Sequence, residues 1–183
     1  MKKNREKDYY FEKLDSMNNQ LFIVCPFSNM ENYLKKKYGN DSYFLTTSIG
    51  ILLDEDFEYA SAIKQFVSRE KIKTIYFVND TSCRFINGII QRKKLYGLKS
   101  EKLIEELYID NYISCFKDQS ILNQKYKLAE INVKNQINTI LDSSLLGSYI
   151  SEFEIEVKGL ITSKELRKYN EIQIETKNII YEF

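Results

Sequence analysis

Histidine is absent from the 183 residues of the chain. This absence removes the commonest protein ligand for transition metals and the one side chain whose ordinary pKa lies near neutral pH. Any proton transfer, nucleophilic attack or metal binding must therefore use cysteine, aspartate, glutamate, lysine or tyrosine side chains.

Long apolar runs and linker sequences are also missing. No stretch approaches the ~20 apolar residues that a membrane-spanning helix needs, and the N-terminus lacks the apolar core of a signal peptide. The chain contains one proline and six glycines, and its length suits one domain with a sizeable core. We therefore expect a single-domain cytoplasmic protein without a membrane anchor.

Neither sign of charge is in excess. The 27 basic and 26 acidic side chains nearly cancel, so no net field attracts nucleic acid or a membrane surface. Three cysteines, an odd number without close pairing, do not form a disulfide framework. Such thiols are buried core residues, reactive groups or metal ligands.

Apolar strand patterns alternate with helical patterns along the chain. Predicted strands lie at 21–25, 42–49, 73–78, 152–161 and 171–183. Predicted helices lie at 8–17, 30–38, from Asp54 or Asp56 to about 67, and at 85–96, 100–108 and 120–141. This order predicts an α/β fold with a central, mostly parallel sheet flanked by helices, and a C-terminal antiparallel edge strand or hairpin.

Two of the predicted strands run into cysteines. The stretch "QLFIVC" ends at Cys25, and "KTIYFVND" leads into Asp80 and Cys83. Open parallel sheets bind ligands beyond the carboxyl ends of their strands, so we expect these three residues at the functional edge. Thiolate and carboxylate groups are both accepted zinc ligands.

The order and spacing of these segments resemble the β-class carbonic anhydrases. "CPFSN" at 25–29 stands where that family has C-x-D-S-R, and "DTSCR" at 80–84 stands where it has H-x-x-C-G. "FEYA" is similar to the family's S-I-E-Y-A helix start, "EINVKNQINTIL" to its N-V-x-x-Q helix, and "EIEVKGLI" to its V-H-G-W strand. The resemblance extends from about residue 21 to the C-terminus.

The resemblance implies a zinc site and a dimer. Cys25 and Cys83 match two ligand positions, and Asp80 stands in place of the ligand histidine. Phe27, Ser28 and Asn29 would line the site, with Phe27 and Asn29 replacing an aspartate-arginine dyad. The family's architecture also implies a homodimer. The chain would then consist of an N-terminal helical arm (1–20), which contacts the partner subunit, and a single α/β domain (21–183).

These departures weaken the expected chemistry. Three anionic ligands make zinc a poorer Lewis acid and raise the pKa of its bound water. Phe27 accepts neither a proton nor a hydrogen bond, and Asn29 lacks the bidentate fork of arginine. We therefore expect inefficient carbon dioxide hydration.

Three functional interpretations stay open. The first is a pseudoenzyme with a binding or regulatory role, with or without zinc. The second is a zinc-dependent lyase or hydrolase that acts on a small electrophile through zinc bound by Cys25, Asp80 and Cys83. The third is a metal-free module that binds an anion or nucleotide at helix N-termini. Asp80 also fits an Asx-turn or a helix cap.

Overall fold

The computed structural model describes residues 18–52, 57–93, 96–163 and 168–172. Within these ranges five strands form one sheet in the order β2-β1-β3-β4-β5. The strands are β1 Gln20–Val24, β2 Ser42–Thr46, β3 Thr74–Asp80, β4 Glu156–Ser163 and β5 Lys168–Ile172. Strands β1 to β4 pair in parallel and β5 pairs antiparallel to β4, which confirms the predicted fold class.

The described helices cover both faces of this sheet. They are α1 Glu31–Tyr38, α2 Phe57–Arg69, α3 Arg84–Ile90, α4 Lys99–Asp110, α5 Ile121–Asp142 and α6 Leu146–Glu152. A π-helical turn, Tyr112–Phe116, precedes α5, and 3₁₀ turns at Pro26–Ser28 and Ser48–Gly50 follow β1 and β2. In the described ranges no helix combines the length and apolar character that crossing a bilayer requires.

Strand β3 is the centre of the core. All seven of its residues are buried, as expected for a parallel strand with helices on both faces. Alternate residues of β1 face opposite layers: Leu21 and Ile23 join the larger cluster with α5, whereas Phe22 and Val24 join a smaller cluster with α1. The two faces together fix the register of β1 beside β3.

Several predicted boundaries are wrong for identifiable reasons. Strand β2 ends at Thr46 rather than residue 49, because Ile49 has a φ of 63° and cannot continue an extended strand. Helix α1 begins at Glu31, one residue after the predicted start. In the turn before it, the Ser28 hydroxyl donates to the backbone carbonyl of Cys25 at 2.6 Å.

The predicted bounds of the C-terminal elements differ from those in the structure. Helix α6 was not predicted, and β4 begins at Glu156 rather than at residue 152. Strand β5 spans Lys168–Ile172, earlier than the predicted 171–183. Residues 173–183 and the predicted N-terminal helix at 8–17 lie outside the described residues.

Candidate functional site

Two cysteine side chains meet beyond the carboxyl ends of β1 and β3. Cys25 follows the last residue of β1, and Cys83 precedes the first residue of α3. Their Sγ atoms lie 3.7 Å apart, and the two residues are 2% and 1% exposed. The parallel pairing of β1 with β3 brings them together, so two of the three predicted ligands are neighbours.

The two thiols have opposite pKa shifts because they share one hydrogen bond. The S–H of Cys83 donates to Cys25 and, against the opposing effect of burial, lowers the pKa of the Cys25 thiol to about 7. Backbone N–H groups of Ile49, Phe27 and Ser28 lower it further. The same hydrogen bond, together with burial, raises the pKa of Cys83. The pair therefore favours a thiolate on Cys25 and a proton on Cys83.

The backbone N–H that Ile49 donates to the Cys25 sulfur belongs to a strained part of the chain. Ile49 has φ 63° and ψ 10°, a left-handed conformation that is rare for a β-branched residue. Its carbonyl oxygen accepts hydrogen bonds from Nδ2 of Asn79 at 3.1 Å and from Nδ2 of Asn132 at 3.4 Å. Nδ2 of Asn132 also donates to Oδ1 of Asn79 at 2.9 Å. These buried amides hold the Ile49 peptide in place.

Sequence reasoning did not assign Ile49, Asn79 or Asn132 to the site. A local signal exists for the two asparagines, because each interrupts an otherwise apolar pattern, Asn79 in β3 and Asn132 on the buried side of α5. A buried amide needs hydrogen-bond partners. The strained isoleucine carries no such signal, since its side chain is an ordinary core residue.

Asp80 is 1% exposed, and both of its carboxylate oxygens are hydrogen-bonded. Oδ1 accepts from the backbone N–H of Ser82 at 2.8 Å and also from the Ser82 hydroxyl. Oδ2 accepts from Oγ1 of Thr162 at 2.7 Å. The carboxylate therefore closes an Asx-type turn after β3 and ties that turn to β4.

The thiol pair fits part of a zinc site. Two sulfurs on a tetrahedral zinc, each at about 2.3 Å, lie roughly 3.8 Å apart, close to the 3.7 Å observed. Yet the described residues contain no group of three or more cysteine, aspartate, glutamate or histidine side chains that could hold a metal ion. Ligation of zinc by Cys25, Asp80 and Cys83 together stays a prediction.

The three predicted site-lining residues have different environments. Phe27 is 49% exposed, and its ring packs edge-on against Phe85 with centroids 5.3 Å apart. Ser28 is buried against the Cys25 carbonyl. Asn29 ends the 3₁₀ turn with φ 47°, a conformation that asparagine tolerates better than most residues. Phe27 thus gives the outer side of this turn an apolar surface.

Solved structures with similar folds identify the architecture. The chain matches the β-carbonic anhydrase CafA of Aspergillus fumigatus with a TM-score of 0.74 and 18% identity, covering 94% of this chain and 85% of that one. A tetrameric β-carbonic anhydrase from Sordaria macrospora gives 0.75 at 17% identity, covering 95% and 91%. The Coccomyxa β-carbonic anhydrase in complex with acetazolamide gives 0.69 at 15%, covering 92% and 78%. The fold is that of the β-class carbonic anhydrases.

This β-carbonic anhydrase fold confirms the architecture that the sequence resemblance implied. No protein-family model and no curated protein sequence matches the chain. At these identities the similarity concerns the fold, and the chemistry must be argued from the chain's own side chains. In this fold the thiol pair occupies the carboxyl edge of β1 and β3.

The thiol pair makes a testable prediction about ionisation. In metal-free protein with the Cys115→Ser change, one thiolate should appear with a midpoint near pH 7, measured by its ultraviolet absorbance. Cys83→Ala removes the donor that most lowers the Cys25 pKa, so the midpoint should move upward. A wild-type midpoint no lower than that of Cys83→Ala would contradict the shared hydrogen bond.

Proposed function

We propose that the chain is a carbonic anhydrase-fold binding protein that does not hydrate carbon dioxide efficiently. The hydrogen bonding of Asp80 carries this proposal. This residue stands where the resemblance places a ligand histidine, and its two oxygens are bonded to Ser82 and Thr162. Ligating a metal would require the carboxylate to give up at least one of these partners in a buried position, where unpaired polar groups are costly.

The two residues that stand in place of the family's aspartate-arginine dyad, Phe27 and Asn29, cannot transfer a proton. The Phe27 ring is hydrocarbon and packs on Phe85, so it cannot orient a reacting water. Asn29 is neutral and belongs to the turn. The chain has no histidine to carry a proton at neutral pH. These features support binding rather than turnover.

The thiol pair itself is well placed for a structural role. Cys25 accepts hydrogen bonds from Cys83 and from backbone N–H groups of the two turns that follow β1 and β2. The sulfur therefore links three segments of the carboxyl edge. Both thiols are almost fully enclosed, which limits their contact with a dissolved substrate.

A zinc enzyme of altered chemistry is the second candidate. The specific observation in its favour is the 3.7 Å separation of the two sulfurs, which matches one edge of a tetrahedral zinc site. In that case Cys25 and Cys83 would hold the ion, and Asp80 would complete the set after leaving its present partners. Bound zinc would supply Lewis acidity toward a small electrophile.

Stopped-flow hydration of carbon dioxide tests the proposed loss of hydration activity. Wild-type protein supplied with zinc should give no rate above buffer. A triple variant carries Phe27→Asp, Asn29→Arg and Asp80→His. It supplies a neutral third ligand and the missing dyad, and its hydration rate should exceed that of the wild type on the order of 100-fold.

The matched control is the double change Phe27→Asp and Asn29→Arg, which lacks the third ligand and should stay inactive. Hydration by the wild type that disappears in Cys25→Ser would contradict the proposal. A triple variant that is folded, zinc-loaded and inactive would show that these three residues do not account for the loss.

We also propose that the protein is a homodimer whose contact includes the arm at 1–20, most of which lies outside the described residues. The proposal rests on the resemblance and on the apolar side chains of that arm, Tyr9, Tyr10, Phe11 and Leu14. Removing residues 1–20 should give monomers or aggregates by light scattering. A dimer of the truncated chain would contradict the role of the arm.

A further inference from the structure

A cavity of about 360 Å³ opens at the carboxyl ends of β3 and β4 and the amino end of β5, apart from the thiol pair. Its walls come from the turn after β3, the last residues of β4, the first residues of β5 and the first two turns of α5. The lining residues are Thr81, Leu122, Asn123, Tyr126, Ile161, Thr162, Ser163, Lys168, Tyr169 and Asn170. The volume suits a single-ring ligand, at the small end of typical binding cavities.

Two buried threonines give the cavity a polar inner end. The Thr162 hydroxyl donates its proton to Asp80, so its oxygen can only accept a further hydrogen bond. Thr81 is 3% exposed, and its hydroxyl oxygen is enclosed without a hydrogen-bond partner in the described residues. Buried polar groups are normally paired. A ligand hydroxyl at this end can donate to the Thr162 oxygen and accept a hydrogen bond from Thr81.

The side walls favour a flat apolar body. Leu122 and Ile161 contribute aliphatic surface and Tyr126 contributes a ring, whereas the Tyr169 ring lies beneath the Lys37 ammonium group. Nδ2 of Asn170 donates to the Tyr126 hydroxyl at 2.7 Å, which fixes the position of that ring. Apolar and aromatic walls with a few placed polar groups are typical of small-molecule sites.

Charge sets the orientation of the ligand. Lys168 is exposed, and among the described residues that line the cavity it is the one charged side chain. The buried Asp80 carboxylate lies behind Thr162 and repels an anion at the inner end. A ligand carboxylate is therefore favoured at Lys168 and disfavoured beside Thr162.

We propose that this cavity binds a small aromatic hydroxy acid, with its hydroxyl between Thr81 and Thr162 and its carboxylate at Lys168. This inference deepens the proposed binding function by giving it a ligand class and a site. It does not depend on whether the thiol pair holds a metal, because the cavity's described lining includes neither Cys25 nor Cys83.

Calorimetric titration of the full chain with three probes tests the proposal. The probes are para-hydroxybenzoate, benzoate, which lacks the hydroxyl, and para-hydroxybenzamide, which lacks the charge. Wild-type protein should bind para-hydroxybenzoate most tightly, with each missing group weakening binding about tenfold. Thr81→Val should weaken para-hydroxybenzoate by about the same factor and leave benzoate unchanged, whereas Thr81→Ser should retain wild-type binding.

Changes at the charged end should show the complementary pattern. Lys168→Gln should weaken both acids and leave para-hydroxybenzamide unchanged. Thr46→Val and Lys73→Gln are matched controls, since these exposed residues do not line the cavity, and neither should alter binding.

Two results would overturn the assignment. One is the absence of para-hydroxybenzoate binding to the wild type at roughly millimolar concentration. The other is binding that neither Thr81→Val nor Lys168→Gln alters. Carbon dioxide hydration by the wild type would instead overturn the proposed loss of activity and leave the cavity assignment intact, so the two failures are distinguishable.

Discussion

The parallel pairing of β1 with β3 is the constraint on which the site depends. It sets two chain segments side by side that are 58 residues apart at their cysteines. The pairing holds because β1 is buried on both faces and β3 is buried throughout. A shift of β1 by one residue would exchange its two faces and would carry Cys25 away from Cys83.

The sulfur contact then organises the rest of the carboxyl edge. The thiolate on Cys25 attracts backbone N–H groups from the turns after β1 and β2, and one of these belongs to the strained peptide of Ile49. Asn79 and Asn132 offset that strain by hydrogen bonding to the Ile49 carbonyl. On the other side of β3, Asp80 and Thr162 join the edge to β4. Thr162 also lines the inner end of the cavity between β4, β5 and α5.

Much of the fold could be predicted from local patterns. The continuous apolar run of β3 predicts a strand that is buried on both faces. The 3.6-residue period of α5 predicts a helix that is buried on one face. The positions of Cys25, Asp80 and Cys83 at the sheet edge followed from those strands. The conformation of Ile49 could not be predicted, since tertiary hydrogen bonds impose a backbone that its side chain disfavours. The role of Asp80 stayed open in the sequence because the same residue type serves a turn or a metal.

Zinc affinity of the full chain, measured by competition with a chromophoric chelator, tests the central claim that Asp80 serves the turn and is not available as a ligand. The account predicts that folded Asp80→Asn binds zinc as the wild type does, within about threefold, because the carboxylate is committed to Ser82 and Thr162. One tightly held zinc per wild-type chain that is weakened on the order of 100-fold in Asp80→Asn would contradict it.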